Sequence, residues 1–431
     1  MIRTHSFPCP LPKPDADALN RESGRIYTRA LVEHYRVYRQ TGHWLSPVGL
    51  EKLVDFYDAQ AGQERLLHAH SIDAAEQGFP KACKTAKACK QLNLKNAHYP
   101  HKRKFWRTTI WKNTGIRADK QHPGVFLLAR ASGLAPIHVN LPSQLASLPP
   151  KSFVEMRLVW DKASRRYNWH LVVDDGQPAA EPSGTGVMAG DLGEIHPIAL
   201  SDGVETVVVS ARALRSVRQR TNKRLAELQR LQAAKVKHSR QWQKLQRRKN
   251  RFLAQQKRRT RDIEHKVSRA VVDIAVDWHI GTLALGDVRD VADGKRLTTK
   301  SQQKVSNWSH GQLRQQIEYK AAAYGITVEL VNEAYSSQTC PQCGERHKPK
   351  GRLYRCSACG FVSHRDAVGA VNILSRRLHG EVGRIRPPAE TKYRHPFGKL
   401  AFKTGKRSRL DTTELAWAAP SGGSPKKLRG F

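Results

Sequence analysis

Four cysteines set the first chemical constraint. In "CPQCGERHKPKGRLYRCSAC", Cys340 and Cys343 form one CxxC pair and Cys356 and Cys359 a second, with twelve residues between the pairs. A two-residue knuckle turns the chain back on itself, so each pair can offer two thiolates to one tetrahedral ion. Four soft ligands around Zn2+ supply folding energy that so short a segment lacks. Protein atoms then fill every position on the ion, which makes the site structural and not hydrolytic. Cys83 and Cys89 are six apart, a poor ligand spacing, and with Cys9 they read as ordinary thiols. Seven cysteines, an odd number with four clustered, indicate reduced thiols and a metal, not a disulfide framework.

Two acids stand in surroundings that call for a reason. Asp191 ends the apolar run "GVMAGD" and is followed by Gly193 and a second apolar run, "IHPIAL". A core strand rarely tolerates an unpaired carboxylate. A bound divalent cation would justify it; a turn aspartate at a hairpin explains it equally. Asp366, in "SHRDAVGAVNILSR", falls at or near the start of a helix, where the positive end of the helix dipole tolerates an acid. It reads as either a capping residue or a ligand.

The charge balance names a class of partner. The 431 residues carry 75 Lys+Arg against 37 Asp+Glu, a formal net charge of +38. A merely well-solvated surface mixes its signs; this excess is an electrostatic footprint for a polyanion, nucleic acid above all. No apolar run is long enough to span a bilayer. The best, "VVDIAVDWHIGTLALG", is interrupted by Asp273, Asp277 and His279. The N-terminus lacks the apolar core of a signal peptide. The expectation is a cytoplasmic chain (prokaryotic cytosol or nucleoid) with no membrane partner.

The elements that must position these residues follow from periodicity. Residues 1–14 are Pro-rich with room for one short strand. From Asp15 to about Asn96 the pattern is helical, with Tyr27, Leu31 and Tyr35 four apart, Ser46 and Pro47 at a helix start, and a third stretch holding Leu66, Leu67 and Ile72. From about Thr108 to Asp174 alternation takes over, as in antiparallel strands. "GQPAAEPSGTG" (176–186) is a linker. Two or three strands follow, then a basic helical hairpin over 212–261 with 19 Lys/Arg and one acid. A helix in "HKVSRAVVDIAVDWH", the strand "GTLALGDVRD", a helix near "HGQLRQQIEYKAAAYG" and the strand "ITVELVNEAY" come next. Residues 380–431 hold twelve Lys/Arg and four acids with many Pro and Gly, a tail expected to be disordered or to order only on nucleic acid. "YPHKRKFWRTTIW" interleaves rings with Lys102, Arg103, Lys104 and Arg107. It reads as a contact to RNA or a DNA fork, where rings stack and cations meet phosphate, or equally as core rings with exposed cations between them.

In order, "AGDLG", the basic hairpin, the strand before "GDVRD", "YSSQTCPQCG…YRCSACG" and "HRDAVGAVNIL" resemble the transposon-encoded TnpB proteins and the compact type V CRISPR effectors related to them. The match runs over roughly residues 186–377. The resemblance implies a multidomain α+β and α/β fold. A β-barrel wedge domain (1–14 and 108–180) would hold an inserted helical recognition lobe (15–107). An RNase H-like RuvC nuclease domain (184–335 and 362–379, with the 212–261 hairpin) would hold an inserted zinc ribbon (336–361). It also implies an RNA-guided DNA endonuclease working with two Mg2+ ions, a guide RNA and double-stranded target DNA. Carried over by motif, the first acid is Asp191 and the last Asp366.

Two departures matter. His364 stands where the family often has another acid. The fourth-strand Glu is absent, its slot being Gly286 or its neighbour. Glu333, in "VELVNEAYSS", is the expected replacement. The fifth strand lies beside the fourth at ~4.8 Å, and a Gly on the fourth leaves room for a long side chain to cross. Asp287 is the second candidate, and a solvated loop acid is the bland reading of Glu333. Phosphate contacts are expected from Arg247, Arg248, Lys249, Arg251, Lys257, Arg258 and Arg259 of the basic hairpin. Without a third acid, the alternative is a cleavage-deficient guide-RNA-dependent DNA-binding protein, a repressor or targeting subunit. An unguided zinc-ribbon DNA-binding protein is a third reading. Assembly is left open between one copy and a homodimer.

Overall fold

The computed structural model describes residues 2–94, 97–162, 164–174, 176, 180–182, 184–288, 298, 299, 302, 303, 308–349, 351–388 and 390–396. The chain divides into two units. The first comprises Met1–Ser183, Ala213–His265 and Glu318–Ile326; the second comprises Gly184–Arg212, Lys266–Ile317 and Thr327–Phe431.

The first unit opens with β1 (Ile2–Pro8), followed by α1 (Lys13–Thr41), α2 (Pro47–Gln60), α3 (Ala69–Glu76) and α4 (Gly78–Gln91). The expected start of α2 is as read: Ser46 Oγ accepts from Gly49 N at 3.1 Å with Pro47 at the first position. The third helix begins later than the apolar pattern suggested. His68 caps it, so Leu66 and Leu67 precede it, and Leu67 forms an isolated bridge with Arg130. Then come β2 (Thr109–Lys112), β3 (Ile116–Ala118), β4 (Val125–Leu128), β5 (Ile137–Asn140), the short α5 (Ser143–Ala146), β6 (Phe153–Asp161) and β7 (Arg166–Asp174). They make two antiparallel sheets, β1-β7-β6-β2 and β3-β4-β5. Alternation in β7 buries Tyr167, Trp169 and Leu171, and Trp169 meets Trp111 edge-on at 5.7 Å in the core.

The basic hairpin is α6 (Arg212–Ala233) and the start of α7 (Arg240–Asp277). A break near 261 was expected, but α7 runs on for 38 residues. Between Arg240 and Asp277 there is no Gly or Pro to stop it.

The second unit is built on β8 (Gly186–Leu192), β9 (Ile198–Ser201), β10 (Thr206–Val209), β11 (Ile280–Asp287), the start of α8 (His310–Ala322), β12 (Thr327–Asn332), the hairpin β13 (Leu353–Arg355) and β14 (Val362–His364), α9 (Arg365–His379) and β15 (Lys392–Arg394). Its six-stranded sheet has the order β12-β11-β8-β9-β10-β15. β8, β9 and β10 are antiparallel neighbours, whereas β11 lies parallel to both β8 and β12. β9 and β10 are buried throughout, as continuous apolar runs of central strands should be. α9 buries Ala367, Val368, Ala370, Val371, Ile373 and Leu374, with Ile373 and Leu374 packed against Ala189 and Ala284. The C-terminal tail departs from expectation at its start. Lys392–Arg394 pairs in parallel with β10, and Ser210 N donates to Arg394 O at 2.9 Å. The rest of that tail, 397–431, lies outside the described residues, as do 177–179 and 183 of the linker. No described helix is long and apolar enough to cross a membrane.

Candidate active site

Register decides which side chains share a face. Gly190 pairs with Leu285 and Gly286 with Val331, so Asp191, Gly286 and Val331 point to one side of the sheet. Glu333, two residues past Val331 and just beyond the end of β12, turns the same way. Its side chain returns across the bare backbone of Gly286. A Cβ at 286 would lie 3.1 Å from Glu333 Oε2, 3.4 Å from Glu333 Cβ and 2.9 Å from Ile373 Cδ1. Alternation turns Asp287 to the opposite face, where its charge is felt by His310.

Asp366 reaches the same place from the other side. It lies in the first turn of α9, but His364 is the N-cap, with Nδ1 accepting from Asp366 N at 3.2 Å. The carboxylate is therefore not spent on capping. Asp366 Oδ1 accepts from Arg352 Nη1 at 2.8 Å. Oδ2 is buried and has no hydrogen-bond partner among the described residues, an arrangement that costs free energy unless a ligand completes it.

Asp191, Glu333 and Asp366 line one cleft of about 630 Å³, together with Arg352, Arg365 and the 334–338 loop. Asp191 is held well above the usual carboxylate range. Burial is the main cause, followed by repulsion from Asp366 and then Glu333, which Arg365 and Arg352 partly offset. Mutual repulsion of this kind means that three carboxylates face a common space. A divalent cation there would reverse the sign of the effect. Gly369 on α9 makes room from above, since a Cβ there would overlap Asp191 Oδ2. An all-oxygen donor set with one oxygen unpartnered fits a hard cation such as Mg2+.

Two neighbours had no signal in the sequence. Arg352 is one. His196, in the loop between β8 and β9, is the other: it is buried, its ring centroid lies 5.4 Å from that of His364, and its Nδ1 has no hydrogen-bond partner among the described residues.

The four cysteines converge as their spacing required. Cys340 and Cys359 Sγ are 3.7 Å apart and Cys343 and Cys356 Sγ 3.5 Å, with all four within 4.8 Å of one another. Zn–S bonds of ~2.3 Å in a tetrahedron give edges of nearly that length. Gly344 and Gly360, at φ 76° and 74°, let each knuckle turn with backbone conformations that other residues resist.

The cationic candidates divide. Arg247, Arg248, Arg251, Lys257, Arg258 and Arg259 are exposed on α7, and Lys249 is half-buried. Lys102, Arg103 and Lys104 are exposed beside Phe105, which is 77% exposed. Arg103, Phe105 and Trp106 line a groove of about 630 Å³ with Arg21, Arg25 and Arg29 of α1. Arg107 differs. Its guanidinium packs over the Tyr27 ring at 4.6 Å and against Gly78, so it serves the interior of the unit. Trp111 is a core ring, donating to Ala129 O at 2.8 Å.

Residues 310–373 match the family model of the Cas12f1-like TNB domain, and residues 170–292 match that of a probable transposase, OrfB_IS605. The chain resembles TnpB-like proteins and Cas12f1. It is 30% identical over 139 residues to the TnpB-like protein MJ0751 of Methanocaldococcus jannaschii, covering 32% of this chain and 49% of that one. It is 33% identical over 113 residues to the CRISPR-associated endodeoxyribonuclease Cas12f1 of Sulfoacidibacillus thermotolerans, 25% of each chain. To the putative RNA-guided DNA endonuclease InsQ of Escherichia coli it is 30% identical over 221 residues, 48% of this chain and 53% of the relative. The matches thus span about half the length of these relatives or less. A solved Cas12f1, in complex with single-guide RNA and target DNA, shares the fold at a TM-score of 0.58 and 14% identity, over 84% of this chain and 83% of that one.

Proposed function

We propose that the protein is an RNA-guided DNA endonuclease that hydrolyses phosphodiester bonds at the Asp191–Glu333–Asp366 cleft. The observation that carries this reading is the Glu333 side chain lying over Gly286, on the face that Asp191 shares. Support also comes from relatives whose descriptions name RNA-guided or CRISPR-associated DNA endonucleases. In this reading the β8–β12 sheet is an RNase H-like RuvC domain carrying a zinc ribbon, with the wedge and recognition-lobe roles falling to residues 1–180. Guide RNA supplies sequence specificity by base pairing, and the protein holds the heteroduplex through its backbone.

The chain's own residues divide the work. Asp191, Glu333 and Asp366 line one cleft and would hold the cations there, Asp191 serving both, Glu333 one and Asp366 the other. Two Mg2+ ions, when bound, supply charge neutralisation, an activated water and leaving-group stabilisation. Arg365 and Arg352 line the same cleft and offer guanidinium groups to phosphate oxygens. Arg352 would then exchange its bond to Asp366 for one to the substrate.

The test is plasmid cleavage by the protein with its co-purified RNA and Mg2+. Asp191→Ala and Asp366→Ala are expected to lower the rate by about 100-fold or more, and Asp287→Ala to leave it unchanged. Wild-type protein that binds guide and target but does not cut would establish the guided binder instead. Protein that carries no RNA would favour the unguided one.

A further inference from the structure

A second group of ligand atoms lies beside the acids. His196, His364 and Asp366 each offer one ligand atom, and the three atoms fall within 4.8 Å of one another. The group draws on three places: the loop between β8 and β9, the end of β14, and the first turn of α9. His196 is 4% exposed and Asp366 7% exposed. His196 Nδ1 and Asp366 Oδ2 are both buried without a hydrogen-bond partner among the described residues. Unpartnered buried polar atoms are costly in a folded interior. An ion held by these residues would reduce that cost.

We propose that His196, His364 and Asp366 form a second transition-metal site, separate from the four-cysteine site, for a borderline cation such as Co2+ or Zn2+. The donor set decides the class. Imidazole nitrogens suit Zn2+, Co2+ and their neighbours, whereas Mg2+ and Ca2+ take oxygen. Two nitrogens and one carboxylate oxygen also leave at least one coordination position open. Asp366 Oδ1 is already engaged by Arg352, so Oδ2 is the oxygen on offer, and a cation held here would share it with one held by Asp191 and Glu333. Binding would relax the His364 cap whichever ring nitrogen is used. Ligation through Nδ1 consumes the lone pair that accepts from Asp366 N; ligation through Nε2 puts the proton on Nδ1. That cap is a long bond at 3.2 Å, so little opposes the exchange. The positive charges of Arg212 and Arg352 act on both rings and weaken affinity for a cation, and the Asp366 carboxylate counters them. The proposal stands on these contacts and does not depend on the hydrolytic reading.

The test is a metal count on the full-length, untagged chain. After dialysis against a zinc buffer, wild type is expected to hold two zinc ions per chain, and His196→Ala and His364→Ala one each. Loaded with Co2+, wild type should show the thiolate charge-transfer absorption of the cysteine site and a second, thiolate-free Co2+ spectrum that both variants lose. One ion per chain in wild type overturns the proposal. So does a second ion that survives both substitutions. If His196→Ala fails to fold, His364→Ala, at a half-buried position, decides alone; its retained cysteine-bound ion shows that the ribbon is intact. Cleavage activity enters none of these readouts, so a non-cutting protein leaves the metal count meaningful.

Discussion

At Gly286 the main chain of β11 runs beneath the Glu333 side chain, and Gly369 of α9 gives way to Asp191 in the same manner. Both positions show a missing Cβ deciding where a carboxylate stands. Gly369→Ala is the sharper case, because its Cβ would overlap Asp191 Oδ2 while the strand beneath is fixed by neighbours on both sides. We expect a loss of about 1–3 kcal/mol of stability, the usual cost of overpacking, measurable as a lower denaturant midpoint, and impaired cleavage with it. At this scale the sequence was legible where chemistry is local. The CxxC pairs, the acid in an apolar strand and the acid at a helix start are all visible within a few residues. Glu333 required an argument across strands. His196 and Arg352 carried no signal, because their meaning comes from partners far along the chain that only the fold brings near.

Among the elements, the short helix α3 buries a carboxyl group. Glu76, at the end of α3, is 2% exposed, and its Oε1 has no hydrogen-bond partner among the described residues. Burial, with the like charges of Asp55, Glu51 and Asp73, pushes its pKa up to about 8. The sign follows from linkage. The folded state keeps a proton that the unfolded chain has released, so the contribution to stability is full below the ordinary carboxylate range. It falls by about 1.4 kcal/mol per pH unit until it is lost above about 8. Glu76→Gln should remove this slope, matching wild type at pH 4 and exceeding it at pH 9 in denaturant midpoint. Equal slopes in the two proteins would contradict the assignment. Element type was readable from periodicity for the long helices and for the alternating strands β6 and β7. Boundaries were less so: α3 starts where His68 caps it, and α7 continues because nothing stops it. The edge strand Lys392–Arg394 was hidden in a segment whose composition resembles a disordered tail, since three residues pairing with a buried strand leave little compositional trace.

For the whole molecule, the net charge of +38 and the exposed cations of α7 make a prediction about salt. Under the proposed function, binding to a single-stranded RNA probe should weaken steeply as salt rises, because each neutralised phosphate releases counterions. Replacing Arg247, Arg248, Arg251 and Lys257 together by Gln should flatten the log–log slope by roughly 0.7 for each phosphate that is no longer neutralised. A slope that does not change would place the RNA elsewhere. The excess of positive charge was legible from composition alone. The grouping of Ala213–His265 and Glu318–Ile326 with the N-terminal half was not, since it depends on long-range packing that no local pattern encodes.

The central claim is that a carboxylate from β12's end replaces one missing from β11, and the cleavage rate of Glu333→Ala tests it most directly. The account predicts near-complete loss of target cutting in Glu333→Ala and partial recovery in the double variant Gly286→Glu/Glu333→Ala, where the acid returns to the fourth strand. Cutting by Glu333→Ala at the wild-type rate would contradict it.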